Sequence, residues 1–223
     1  MKSKAVIFGN NSFAEMLKYY IEKYSGIKIY AFSVDRTYIR ESSFCGLPVI
    51  PVEDTSILFP PDQYDFYVAV GYHQMNTLRE DKLKSLCQKG YDLPNFIHPS
   101  VSMEEASIGS GNIILENTSI GFHAQIGNGN LIWNSCVISH ECTLGNYNYL
   151  SPSCALAGRV SIRNNCFLGI HSTIRNDITV DDHTFIGASC YISHDTTPGS
   201  VHVPSRSVQL ETNSWDLLEK GSV

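Results

Sequence analysis

The chain has 223 residues, a length that allows one large domain or two small ones with cores of their own. Its formal net charge of -6 argues against nucleic acid as the main partner, because no basic excess exists to neutralise phosphates, yet a small phosphorylated ligand needs only a local site. No stretch approaches the ~18 apolar residues of a membrane span, and seven cysteines without a Cys-x-x-Cys pair make a disulfide framework a poor fit, so a cytoplasmic protein is expected.

The opening apolar run is too short for a signal peptide and reads as a strand from Lys4 to Phe8. Ser12-Phe13-Ala14-Glu15 has the capping-box pattern and predicts a helix from about Phe13 to Tyr24. Ile27 to Phe32 reads as a second strand ending near Asp35; after a loop come a strand from Tyr64 to Val70 and a helix from Asn76 to Lys89. Alternating strand and helix predicts a small doubly wound α/β domain, Rossmann-like, over residues 1–97.

In that domain the first strand-to-helix turn, Gly9-Asn10-Asn11-Ser12, stands where such folds hold phosphate at a helix N-terminus. Asp35, with Arg36 beside it, is placed to meet a ribose or base. Only one glycine of a Gly-x-Gly-x-x-Gly loop is present, so a turn without a ligand is the alternative. A dehydrogenase fits less well than either, since close approach to a dinucleotide pyrophosphate needs the missing glycines.

From Ser107 to Thr196 the chain divides into fifteen hexads without insertion, and the second position is always a branched aliphatic, from Ile108 through Leu150 to Ile192. A strict period of six predicts a parallel β-helix, each hexad being a short strand and a corner. Eighteen residues then make one triangular coil, and coils about 4.8 Å apart give a prism roughly 24 Å tall. The last hexad position is mostly small and holds five cysteines (Cys136, Cys142, Cys154, Cys166 and Cys190), expected as buried small hydrophobes. Residues eighteen apart stack, so Ile113, Leu131, Tyr149, Phe167 and Phe185 form one outward apolar column. Burial of that column predicts a symmetric assembly, most simply a trimer, or else a C-terminal segment folded back over it. The β-helix domain is assigned to residues 98–223, of which 210–223 read only as a short helix or cap.

Among eight histidines there is no His-x-x-x-His or His-x-x-x-x-His pair, so no metal is expected; a zinc site shared between subunits, as in a carbonic-anhydrase-like β-helix, is the alternative. His140 is the most informative: it lies at an outward position next to Glu141, and one coil later its column holds Gly158, which leaves room beside the imidazole. A histidine beside a carboxylate is a plausible general base. Alternatively, Glu141 stacks against Arg159 as a surface ion pair.

The unbroken hexads, Ile138-Ser139-His140-Glu141-Cys142 and Ala157-Gly158-Arg159-Val160-Ser161-Ile162 resemble the hexapeptide-repeat sugar acyltransferases. More narrowly, Val68-Ala69-Val70-Gly71, Asn76 with Arg79, and Phe96-Ile97-His98-Pro99 resemble the branch with a small nucleotide-sugar-binding domain. That branch includes N-acetyltransferases of 4-amino-4,6-dideoxy sugars and sialic-acid O-acetyltransferases. The resemblance implies a left-handed prism, against the usual right-handed crossover rule, and a homotrimer with active sites between subunits. It implies His140 as general base tuned by Glu141, acetyl-CoA as co-substrate, and direct transfer without an acyl-enzyme, with the Gly158 N–H a candidate for the oxyanion. By the same matching, CoA runs past Gly158, Ile170, Gly187 and Ala188 to Arg206, and the sugar ligand is bound by Gly9, Asn10, Ser12, Asp35, Arg36, Gly71, Arg79 and Tyr149.

Three departures stand against the branch pattern: the loop at Gly9 lacks a Ser-Gly-His-Gly-like sequence, Tyr149 replaces a second histidine found in some N-acetyltransferases, and His202 replaces the glycine before Val203-Pro204. The expected reaction is acetylation of an amino group on a nucleotide-linked sugar for surface polysaccharide or glycan synthesis. Acetylation of a sugar hydroxyl is the near alternative; from other classes come the carbonic-anhydrase-like zinc β-helix and a non-catalytic sugar-binding scaffold.

Overall fold

The computed structural model describes residues 2–215; of the C-terminal segment read as a short helix or cap, residues 216–223 lie outside the described residues. The first third runs β1 (Lys4–Phe8), α1 (Ser12–Ser25), β2 (Lys28–Val34), a 3-10 turn (Arg36–Tyr38), β3 (Ser43–Phe44), β4 (Leu47–Pro51), α2 (Thr55–Leu58), β5 (Asp65–Val68) and α3 (Thr77–Gln88). These strands form one sheet in the order β3-β4-β2-β1-β5, parallel except for the β3–β4 hairpin. The hairpin falls where the sequence reads as a loop. Pro48 and Pro51 mask the strand, and a proline is tolerated there because β4 has only the two-residue β3 outside it. On α1, Ala14, Leu17 and Ile21 recur at helical spacing and are buried, and Gly26, at φ 70°, ends the helix in left-handed geometry.

Beyond residue 95 the chain winds as a triangular prism of three parallel sheets, the architecture of a parallel β-helix. The first face runs from Phe96–Ile97 through Tyr149–Leu150 to Val201–His202; the second from Ser102–Met103 through Val137–Ile138 to Tyr191–Ile192; the third from Ser107–Ile108 to Thr179–Val180. Strands pair in register eighteen residues apart, as Leu131 with Tyr149 and Val137 with Ala155. Every second-position aliphatic from Ile114 to Ile192 is buried inside, together with the five corner cysteines. Each such side chain contributes roughly 1.5–3 kcal/mol on burial, so the repeat itself makes the core. The corners are tight: the fifth hexad residue from 111 to 189 always has a φ between 56° and 69°, although most are not glycine. Inside one edge Asn112, Asn130 and Asn148 are fully buried, each side chain accepting from the backbone N–H one coil on, at 2.8 Å.

The outward apolar column has a different cover from the one expected. Ile113, Leu131 and Tyr149 are buried within the single chain, in one cluster with Leu17, Ile21 and Ile29, and Phe167 packs partly against it. From Ile113 to Tyr149 the column is the seat of the N-terminal third, not a surface left for other subunits or for the C-terminal segment, whereas Phe185 at its end pairs with Val201 of the C-terminal segment. Stripe and α1 face are each too apolar to stand alone, and they bury one another.

Candidate active site

Between the C-terminal ends of the parallel strands and the first face lies a cavity of about 970 Å³. Gly9 turns the chain from β1 into it with φ 119°, and a Cβ there would stand 2.8 Å from the Ala69 carbonyl oxygen, so no other residue fits. The cap of α1 is Asn11, whose Oδ1 accepts from the Ala14 N–H at 3.0 Å; Ser12, expected as the cap, is already the first helical residue. Both residue types cap well, so the pattern places the helix start one residue late.

Of the residues expected to meet the sugar ligand, Gly9, Asn10, Ser12, Asp35, Gly71 and Tyr149 line this cavity. Two do not. Arg36 turns to Asp54, with Nη2 2.6 Å from Oδ1. Arg79 is only 2% exposed and spends its guanidinium on backbone carbonyls: Nε on Gly129, Nη1 on Val70 and Gly71, Nη2 on Tyr147 and Asn148. Burial lowers its pKa to about 9, while the ring of carbonyl dipoles favours the charged form. Sequence reading missed Arg40, Tyr72, His73, Lys82 and Trp133, which complete the wall. Lys82 donates to Asp35, a pairing carried by one turn of α3 whose register the sequence pattern does not fix.

His140 and Glu141 lie on another edge, between the second and third faces. Nδ1 of His140 stands 3.0 Å from Oε2 of Glu141, and both side chains are about half exposed (53% each). Gly158 lies over the ring: a Cβ there would come within 2.5 Å of Nε2 and 2.7 Å of Cε1. The glycine thus makes room for the imidazole itself, rather than for a ligand beside it. The expected pair between Glu141 and Arg159 does not form, because Arg159 reaches Asp177 in the next coil at 2.6 and 3.0 Å. Glu141 is left to His140. Among the described residues the Gly158 N–H donates to no backbone carbonyl, so it is available to an oxyanion.

Ile170, Gly187 and Ala188 sit on a third location, the edge between the first and second faces, with Ile170 44% exposed. The tail from Val203 passes this edge beside a cavity of about 550 Å³ and continues to an exposed Arg206. Gly158, expected on the same cofactor path, belongs to the His140 edge. The two groups of residues therefore lie on different edges of one chain, separated by the whole second face, and the large cavity, walled by Trp133, opens along the edge that His140 does not share. Among the described residues no three His, Cys, Asp or Glu gather as metal ligands, and no helix is long and apolar enough to cross a membrane.

No protein-family model matches the chain, and no curated protein matches it. Solved structures do. The acetyltransferase domain of PglB from Neisseria gonorrhoeae superposes with a TM-score of 0.81 at 24% identity, covering 90% of this chain and 96% of that one. PerB from Caulobacter crescentus, determined in complex with CoA and GDP-perosamine, gives 0.78 at 25% identity over 90% of this chain and 91% of its own. WeeI from Acinetobacter baumannii gives 0.79 at 17% identity over 89% and 95%. Two further matches are variants of the Caulobacter GDP-perosamine N-acetyltransferase in which one histidine is replaced by alanine or asparagine. Over about nine-tenths of its length the chain carries the fold of these acetyltransferases.

Proposed function

We propose that the protein transfers an acetyl group from acetyl-CoA to an amino group of a nucleotide-linked sugar, in surface polysaccharide or glycan biosynthesis. Residues 1–97 are the Rossmann-like domain that binds the nucleotide sugar, residues from 98 on are the acyltransferase domain, and the working form is a homotrimer in the cytoplasm. The observation that carries the reading is His140, held on Glu141 through Nδ1 with Nε2 over Gly158, on a fold shared with a structure that holds CoA and a nucleotide-linked amino sugar.

The geometry assigns the proton path. With the Nδ1 proton donated to Glu141, Nε2 presents its lone pair. Nε2 takes the proton from the acceptor amine as its nitrogen bonds to the thioester carbonyl carbon. The Gly158 N–H meets the negative charge that gathers on the carbonyl oxygen, the carbon–sulfur bond breaks, and CoA leaves as thiolate. Glu141 steadies the imidazolium in between. The apolar stem of the co-substrate suits exposed Ile170 and the small Gly187-Ala188 turn, and Arg206 suits a phosphate.

The separation of the two groups of residues supports the trimer better than the apolar column did. Only a neighbouring copy can set an Ile170 edge and a nucleotide-sugar cavity against His140. Thiol release from acetyl-CoA across UDP-, dTDP- and GDP-linked amino and neutral sugars, with His140→Ala as control, tests the reading. Release with an amino sugar and its fall by about two to four orders of magnitude in the variant are expected. Release with neutral sugars alone would move the acceptor to a hydroxyl, and near-normal turnover by the variant would remove His140 as the base.

A further inference from the structure

The loop from Gly71 to Asn76 walls the large cavity with Gly71, Tyr72, His73 and Gln74, and its backbone is unusual. Gln74, Met75 and Asn76 have φ of 52°, 50° and 67°, three left-handed residues in succession and none of them glycine. Each such residue costs about 1 kcal/mol or more, so a run of three persists only where the surroundings impose it.

Two buried side chains impose it. Asn76 is fully buried at the N-terminus of α3, and its Nδ2 donates to the Cys166 carbonyl of the prism at 2.9 Å. One helical turn on, Arg79 donates to Val70 and Gly71, where the loop begins, and to Gly129, Tyr147 and Asn148, on the prism edge between the third and first faces. No ion pair neutralises this buried guanidinium among the described residues; five carbonyl bonds take the place of a counter-ion. An apolar core residue would have cost less to bury, which directs attention to what the five donors join.

We infer that Arg79 and Asn76 are positioning residues for the acceptor. They bolt the cavity loop to the prism and thereby set Tyr72 edge-on to Tyr149 and tilted against Phe167, with ring centroids 5.1 and 4.9 Å apart, and His73 at the cavity wall. Neither residue reaches the cavity. Their effect on the acceptor runs through the loop, and the co-substrate edge at Ile170 and Gly187 lies outside it. The inference rests on the proposed acyltransfer for its kinetic reading but not for its structural one.

Arg79→Lys, Arg79→Met and Asn76→Ala would be compared at a temperature where circular dichroism finds each folded. KM for the nucleotide-linked amino sugar should rise about tenfold or more in Arg79→Met, as expected when positioning of a bound group is lost. KM for acetyl-CoA should hold within about twofold, and Arg79→Lys, which keeps three of the donors, should recover part of the loss. The free protein gives a second reading: with Trp215→Phe as background, acrylamide should quench Trp133 of the cavity wall more strongly once Arg79 is Met. An acceptor KM within about threefold of the parent in folded Arg79→Met, or equal rises in both KM values, overturns the inference. If the parent turns over no nucleotide sugar, the acyltransfer reading falls, and the quenching alone decides: unchanged quenching overturns the clamp as well.

Discussion

Gly158 is where one hydrogen atom in place of a side chain has the most consequence. Its column neighbour His140 lies so close that any Cβ would press within 2.5 Å of Nε2, the atom assigned to the acceptor proton. Backbone strain plays no part, since Gly158 is not among the residues of positive φ; the constraint is contact alone. Gly158→Ala is therefore expected to fold with little loss of stability, as the ring sits at an exposed edge and can swing outward. Swinging breaks the alignment with Glu141, and a displacement of about 1 Å at a base costs on the order of 10²-fold in rate. The measurement is kcat beside the melting temperature: a fall in kcat with melting held supports the seat, and unchanged kcat would show that the imidazole works from another position. The sequence makes the adjacency of His140 and Gly158 legible through the eighteen-residue coil, but not the sense of the contact. Spacing tells which residues stack, whereas who fills the space depends on a rotamer.

At the scale of elements, the repeat and the α/β alternation differ in what they disclose. A hexad pattern fixes strand, corner and interior together, because one period governs all three, and the strand pairs fall in the register it dictates. The α/β third has no such period, so the β3–β4 hairpin hides behind Pro48 and Pro51, and how α3 meets the prism is invisible until Arg79, Glu80 and Asn165 are seen together. Glu80 on α3 accepts from Asn165 of the prism at 2.8 Å and from Lys84 at 2.6 Å. Burial alone would raise its pKa, but the bonds to Lys84 and Asn165 outweigh it and the carboxyl lies below its ordinary range. A carboxyl depressed in the folded state binds fewer protons there than in the unfolded chain. Its contribution is fully present above the ordinary glutamate range, near pH 4.3, and is lost as pH falls through the lowered folded value. Glu80→Gln should lower stability by about 1 kcal/mol at neutral pH and flatten the acid limb of a melting-temperature profile. Parallel profiles for the two proteins, offset by a constant, would show that the proton linkage lies elsewhere.

For the whole molecule, the question is why the proposed base and the proposed ligand cavity should lie where one chain cannot join them. His140 and Glu141 stand on one edge, Ile170, Gly187 and the cavity lined by Asp35 along another, with the second face between them. Which residues stack on which edge was readable in the sequence from hexad numbers, yet the expected cofactor path ran Gly158 and Gly187 together as if they shared one edge. The proposed trimer would supply the remedy, since the head-to-tail contact of a threefold assembly sets one edge of each copy against a different edge of the next. That arrangement predicts complementation. His140→Ala keeps the cavity and loses the base; Asp35→Ala weakens the cavity and keeps the base. Neither should turn over alone at a substantial rate. Unfolded together, or co-expressed, and allowed to assemble at random in equal amounts, they place an intact cavity against an intact histidine in about one site in four. Activity near a quarter of the parent, with a trimer in sedimentation, is the expected result. A mixture no more active than the sum of the two would mean that base and cavity serve each other within one chain, and a stable monomer at micromolar concentration would remove the neighbour on which the site depends.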